Sequence, residues 1–146
     1  MASIHKDISI DAHPKDVWAA VRDFGNPHTR LVPGFVLDAR LDGEARIVTF
    51  ANGTTARELL VDCDEARRRL VYAVISERVK QHSASVQVVP DGDTRTRLIW
   101  IVDVLPHEIA PYIDSQMDQA ALAMQKALAR SAKVESGFAS DRAEKF

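Results

Sequence analysis

The segment from Pro106 to Lys133 is the only long stretch of this chain with the spacing of an α-helix. Its apolar residues recur every three or four positions and therefore share one face of a helix. They are Ile109, Ile113, Met117, Ala120, Met124 and Leu128. Nearly all of the chain between Val32 and Leu105 has the patterns of β-strands instead. A long amphipathic helix after a run of strands predicts a sheet wrapped around that helix, with room for a ligand between them.

The composition limits the class of protein. A chain of 146 residues with 46% hydrophobic and 27% charged residues is expected to form one soluble globular domain. The formal net charge of -2 offers no basic field, so no nucleic-acid partner is predicted. Cys63 is the single cysteine, which excludes an intrachain disulfide, and no apolar run reaches membrane-spanning length. These features predict a cytoplasmic protein without a membrane span.

Strands, short helices and turns are predicted at particular residues. Ser3 to Ile10 alternates as a first strand, and Pro14 to Phe24 has helical spacing after a proline that suits a first helical turn. A second short helical turn is predicted at His28 to Val32. Six further strands are predicted at residues 35–41, 46–50, 54–63, 70–76, 80–89 and 96–105. Asp42-Gly43 and Asn52-Gly53 are hairpin signals, so neighbouring strands are expected to be antiparallel.

Together these elements predict an α+β fold. A bent seven-stranded antiparallel sheet is expected to surround the long C-terminal helix, and two short helices follow the first strand. Residues 1–134 form a single domain in this prediction. Residues 135–146 are polar and lack periodicity, so they are predicted to form a C-terminal tail.

Several short motifs occur in the order found in a known superfamily. The chain opens with Ile8-x-Ile10-Asp11-Ala12-x-Pro14-x-x-Val17-Trp18 and continues with Asp23-Phe24-Gly25 and Pro33-Gly34. Further along come Arg57-Glu58-Leu59-Leu60, Asp64-Glu65-Ala66-Arg67-Arg68, Tyr72 and Trp100-x-x-Asp103-x-x-Pro106. With these motifs the chain resembles the START-like or helix-grip (SRPBCC) superfamily, polyketide cyclase/dehydrase-like branch, from Ser3 to about Lys133. The resemblance implies the helix-grip fold and a cavity for a small hydrophobic ligand.

One dipeptide departs from the pattern of many relatives, which have Glu-Arg where this chain has Arg57-Glu58. An alignment on the following Leu-Leu and on Asp64-Glu65 places Arg57 at the inward position. In the hormone receptors of the superfamily, an inward glutamate joins a polar network to the ligand. Receptor function is therefore not carried over to this chain.

The alternation of side chains along a strand indicates the same inward orientation for Arg57. Leu59 and Val61 share its face, whereas Glu58 and Asp62 share the other face and are expected in water. Arg57 and Leu59 are therefore predicted to face the cavity. A buried guanidinium needs an anionic partner, and a ligand carboxylate could supply one through two hydrogen bonds. Two alternatives stay open. Arg57 could pair with an acidic residue of the protein, or its side chain could reach solvent at the sheet edge.

Other polar and aromatic residues also fall on predicted inward faces. His82 shares its face with Ala84 and Val86, and Trp100 lies on the apolar face of the last strand. A role in core packing stays open for each of them. If neutral, His82 can both donate and accept a hydrogen bond. The predicted ligand-binding residues are Arg57, Leu59, Tyr72, His82, Trp100, Tyr112, Gln116 and Met117.

Several classes of function fit this interpretation. The first is the binding or carriage of a small hydrophobic molecule with an acidic or carbonyl end. The alternative is an enzyme of the polyketide cyclase/dehydratase or isomerase type, with acid–base chemistry at His82, Arg57 or Tyr72. A third class is a module that binds a protein partner. Whether the chain forms a homodimer stays open. The histidines lack metal-ligand spacing and no phosphate-binding glycine loop occurs, so no metal and no cofactor are predicted.

Overall fold

The computed structural model describes the backbone of residues 2–145 and the side chains of residues 2–129. Its strands are β1 (Ser3–Ile10), β2 (Val36–Asp42), β3 (Ala45–Phe50), β4 (Thr55–Asp64), β5 (Arg69–Ile75), β6 (Gln81–Asp91) and β7 (Arg95–Leu105). Its α-helices are α1 (Pro14–Arg22), α2 (Pro27–Arg30) and α3 (Ala110–Lys145). A 3₁₀ turn at His107–Ile109 leads from β7 into α3.

The strands form one antiparallel sheet in the order β1-β7-β6-β5-β4-β3-β2. Strands β2 to β7 pair with their neighbours in the chain, as expected for successive hairpins. Strand β1 pairs with β7, so the first and last strands of the chain lie side by side. The predicted α+β helix-grip fold is therefore confirmed, with its seven-stranded sheet, long C-terminal helix and two short helices.

Two glycines form the hairpin turns that the sequence indicates. Gly43 has a φ of +63° and Gly53 a φ of +89°. Both values lie in the left-handed region, which glycine adopts without the steric cost that a Cβ would bring. The chain can therefore reverse direction between β2 and β3 and between β3 and β4.

Each short helix begins with a proline that is suited to the first helical turn. Pro14 begins α1 and Pro27 begins α2, where the missing N–H would have had no helical acceptor. Helix α1 buries Val17 and Val21, which are 0% and 3% exposed, and it packs against β6 and β7. The two helices therefore cover part of the concave face of the sheet.

The apolar stripe of α3 faces the sheet. Its most buried residues are Met117, Ala120, Met124 and Leu128, none of which is more than 5% exposed. Lys6 of β1 fixes the start of the helix, because its Nζ lies 2.5 Å from an oxygen of Asp114 and 2.8 Å from an oxygen of Asp118. The long helix predicted from this stripe is thus held over β1 by apolar contacts and by ion pairs.

The predicted division into a domain at residues 1–134 and a tail at residues 135–146 stays a prediction. The helix runs to Lys145, but the side chains of residues 130–146 lie outside the described part of the structure.

Candidate ligand-binding cavity

A cavity of about 780 Å³ lies between the concave face of the sheet and α3. Ligand sites in proteins have roughly 300–1,000 Å³ and mainly apolar walls, so this volume suits a small molecule. The apolar wall is formed by Val21, Pro27, Leu31, Val32, Phe35, Val48, Phe50, Leu70, Val74, Val86, Val102, Ile113, Ala120 and Met124. The short helices, the sheet and the long helix thus all contribute to the wall.

Most of the residues predicted to bind a ligand do line this cavity. They are Tyr72, His82, Trp100, Tyr112, Gln116 and Met117. They come from β5, β6, β7 and α3, so elements far apart in the chain bring them together. Whether they bind a ligand stays a prediction.

The prediction that Arg57 and Leu59 face the cavity is wrong. Arg57 is exposed, and its Nη1 donates to a carboxylate oxygen of Asp42 at 2.6 Å. Glu58, between them in sequence, lines the cavity instead. Because neighbouring residues of a strand point to opposite faces, Arg57 and Leu59 lie on the outer face of the sheet.

Glu58 is buried because a partner lies directly opposite on the next strand. Arg46 of β3 pairs with Glu58 in the register of the two strands, and Arg46 Nε lies 2.7 Å from Glu58 Oε1. Both side chains are only 9% exposed. The alternation of side chains predicts both Glu58 and Asp62 in water, which is wrong for Glu58 because Arg46 provides its partner inside. Arg46 and Glu58 stand at similar distances from the Asn52-Gly53 turn, which was the available signal for their pairing.

A β-bulge also breaks the alternation on which that argument depended. The pairing of β4 with β5 shifts between Leu60 and Asp62, so Val61 is an extra residue and is 62% exposed. Beyond the bulge, Cys63 lies opposite Leu70, which is buried. A bulge inserts one residue into a strand and reverses the faces of all residues beyond it, relative to strict alternation.

The guanidinium of Arg46 has further partners besides Glu58. Its Nη1 donates to the backbone carbonyl of Phe24 at 3.2 Å. Its central carbon lies 4.1 Å from the ring centroid of Phe24 and 5.2 Å from that of Tyr72. Such cation–π contacts stabilise a charge that has lost water. Sequence reasoning missed this buried group of Phe24, Arg46 and Glu58.

Three further polar side chains of the wall, those of Tyr72, His82 and Trp100, are neutral. Burial raises the pKa of Tyr72, and the charge of Glu58 adds to this effect, so the phenol keeps its proton. Burial lowers the pKa of His82, which therefore holds a neutral imidazole near pH 7. Trp100 is 8% exposed, and its indole N–H has no hydrogen-bond acceptor among the described residues.

The cavity reaches the surface between the β3–β4 turn and the start of α3. Asn52 in the turn and Tyr112 on the helix both line it, and Tyr112 is 52% exposed. The Nδ2 of Asn52 donates to the Tyr112 hydroxyl at 3.1 Å. Arg78 and Glu108 lie at the same end and are exposed.

Residues 1–133 match the protein family described as polyketide cyclase/dehydrase and lipid transport. The chain belongs to this family. The match covers the sheet, both short helices and most of α3, so the predicted resemblance is confirmed. No curated protein matches the chain.

Several solved structures have the same fold. A Thermobifida fusca protein solved by NMR has 28% identity and a TM-score of 0.71, covering 88% of this chain and 91% of its own. A START superfamily protein from Mycobacterium smegmatis has 13% identity and a TM-score of 0.69, covering 91% and 98%. A norcoclaurine synthase mutant from Thalictrum flavum, in complex with a transition-state analogue, has 18% identity and a TM-score of 0.69, covering 92% and 95%. The last two similarities show the fold alone.

Two kinds of feature do not occur within the described residues of this family member. Its side chains contain no group of three or more His, Cys, Asp or Glu residues that could hold a metal ion. None of its described helices is both long and apolar enough to cross a membrane.

The half-buried imidazole of His82 makes folding sensitive to acid. Because its pKa is lower in the folded protein than the value of about 6.5 in an unfolded chain, the unfolded state takes up the proton first as the pH falls. We therefore expect the free energy of unfolding to be highest above about pH 6.5 and to decline below it. Urea unfolding at a series of pH values would measure this decline.

The substitution His82→Gln should flatten this pH dependence, because glutamine does not titrate. His5→Gln is a matched control, since His5 is exposed on β1. An identical slope in wild type and His82→Gln would contradict the assignment.

Proposed function

We propose that this protein binds or carries a small hydrophobic molecule in the cavity between the sheet and α3, with a carbonyl or acidic end among the polar groups of the wall. The observation that carries the proposal is the cavity of about 780 Å³ itself, with apolar side chains on every side. Membership of a family that includes lipid transport supports it. An empty apolar cavity of this size is costly to a fold, so a ligand that fills it would stabilise the protein.

The first test is the identity of whatever accompanies the purified protein. Native mass spectrometry would detect a bound mass, and extraction into organic solvent followed by mass spectrometry would identify it. Binding of the neutral fluorescent probe N-phenyl-1-naphthylamine would measure the capacity of the emptied cavity.

Blocking the cavity should abolish binding of that probe. Ala120 is 1% exposed and lines the cavity, so a tryptophan at this position would occupy space that the ligand needs. We expect Ala120→Trp to weaken probe binding by about tenfold or more, which corresponds to roughly 1.4 kcal/mol. Fluorescence titration of the folded variant would measure the change.

Leu122→Trp is the matched control, because Leu122 lies on the same helix and is 59% exposed. It should bind the probe as the wild type does. If folded Ala120→Trp retained wild-type affinity, the probe would have to bind elsewhere and the proposal would fail.

Catalysis is the second candidate, and one observation favours it. His82 lines the cavity with a neutral imidazole that makes no hydrogen bond with the described residues. Such a group can accept a proton from a bound ligand. Incubation of the co-purified molecule with wild type and His82→Gln, followed by mass spectrometry, separates the two functions. A carrier leaves the molecule unchanged, whereas an enzyme converts it and His82→Gln slows the conversion.

A further inference from the structure

The indole N–H of Trp100 is a buried donor beside the cavity that the described residues leave without an acceptor. Trp100 is 8% exposed and lines the cavity. An unsatisfied buried donor is costly, and native proteins provide a partner for nearly all such groups. This nitrogen has almost no accessible surface, so the nearest source of the missing partner is a neighbouring side chain.

Tyr72 lies next to this donor. The nearby indole N–H acts on the pKa of Tyr72 against the larger effect of burial, although the two groups do not meet the geometry of a hydrogen bond. If the N–H donates to the phenol oxygen, the buried indole gains its acceptor within the protein. The phenol O–H would then be free to donate to a ligand, and a phenol that accepts a hydrogen bond is itself a stronger donor.

A buried ion pair without net charge lies beside this pair of donors. Arg46 is the buried cation of the wall, but its Nε is paired with Glu58 at 2.7 Å and its Nη1 with the Phe24 carbonyl. The rings of Phe24 and Tyr72 lie close to the guanidinium. Because Arg46 and Glu58 already neutralise each other, a ligand carboxylate near Tyr72 would lose its water and meet the charge of Glu58 without a net positive charge to offset the cost.

We infer that Tyr72 and Trp100 form the polar end of the site and select a ligand with a neutral carbonyl oxygen over one with a carboxylate. The inference rests on the proposed function, because it requires a ligand in this cavity. A carbonyl oxygen is acceptor-only and neutral, so it satisfies the donors without repulsion from Glu58.

Three probes of nearly equal size test the inference with the full chain at neutral pH. They are 2-acetylnaphthalene, which has a ketone, 2-naphthoate, which has a carboxylate, and 2-ethylnaphthalene, which has neither. We expect the ketone to bind about tenfold more tightly than the carboxylate, in line with one hydrogen bond and one avoided charge repulsion. Calorimetry, or displacement of N-phenyl-1-naphthylamine, would measure the three affinities.

Two variants assign the preference to this pair of residues. Tyr72→Phe and Trp100→Phe should each weaken binding of the ketone by several-fold to about tenfold and leave 2-ethylnaphthalene nearly unchanged. Trp18→Phe is the control, because Trp18 donates to Glu65 outside the cavity and its loss should affect none of the probes. Thermal unfolding would show that each variant is folded.

The outcomes separate the inference from the proposed function. If 2-ethylnaphthalene binds but the ketone has no advantage over the carboxylate, the inference is wrong and the proposed function stands. The inference is also wrong if both folded variants weaken all three probes equally. If neither neutral probe binds, the proposed function and the inference fall together.

Discussion

Glu58→Leu should lower the free energy of unfolding by about 3–5 kcal/mol, the usual cost of removing one partner of a buried ion pair. The substitution would leave the Arg46 guanidinium, on a side chain that is only 9% exposed, without its closest counter-ion. The Phe24 carbonyl and the two aromatic rings would remain, but they do not carry a negative charge. Urea unfolding, monitored by circular dichroism, would measure the loss.

The double variant Arg46→Met/Glu58→Leu should recover most of that loss. Two apolar side chains of similar length would replace the pair, and buried ion pairs are often no more stabilising than such replacements. The comparison of single and double variants gives the coupling energy between the two positions directly.

The exposed ion pair on the same strand provides the control. Arg57→Met would break the contact with Asp42, in which both side chains are more than 40% exposed. Exposed pairs contribute little, so unfolding of this variant should match the wild type within error. A larger loss from Arg57→Met than from Glu58→Leu would mean that Arg57, rather than Glu58, lies inside.

A chain that ends before Tyr112 should show no cooperative unfolding transition. It would lose Met117, Met124 and Leu128, each worth about 1.5–3 kcal/mol when buried. It would also expose the concave face of the sheet to water as a large apolar patch. The free energy lost with these three side chains is comparable with the 5–15 kcal/mol or so by which a typical domain is stable. Calorimetry and the dispersion of the NMR spectrum would reveal the loss.

A chain that ends at residue 135 is the matched control for this truncation. It keeps the buried stripe of α3 and removes only the part predicted to be a tail. We expect it to melt cooperatively at the wild-type temperature. A folded, cooperatively melting protein without α3 would instead show that the sheet does not depend on the helix.

The fold follows from patterns that involve many residues at once. The stripe of α3, the glycines at the hairpin turns and the prolines that begin α1 and α2 each specify a local structure. Together they allow few arrangements of sheet and helix. Single errors at the ends of elements do not change that result.

The orientation of β4 could not be predicted so well, because it depends on two nonlocal facts. Glu58 becomes an inward residue only because Arg46 stands opposite on β3, and alternation within β4 contains no information about that partner. The bulge at Val61 likewise shows only in the pairing with β5. His82 and Trp100 do line the cavity as predicted, because β6 and β7 pair over their full length without a shift and alternation therefore holds along both strands.

The edge of the sheet formed by β2 has a consequence for how the protein behaves at high concentration. Strand β2 ends the sheet, and an edge strand offers unpaired N–H and C=O groups to any other strand that approaches. Leu37 and Leu41 on this strand are 58% and 61% exposed, which would favour aggregation by strand addition. Asp38, Arg40 and Asp42 are interspersed with them and are also exposed. Each added strand would have to desolvate these charges, so they make the edge a poor template for fibril growth.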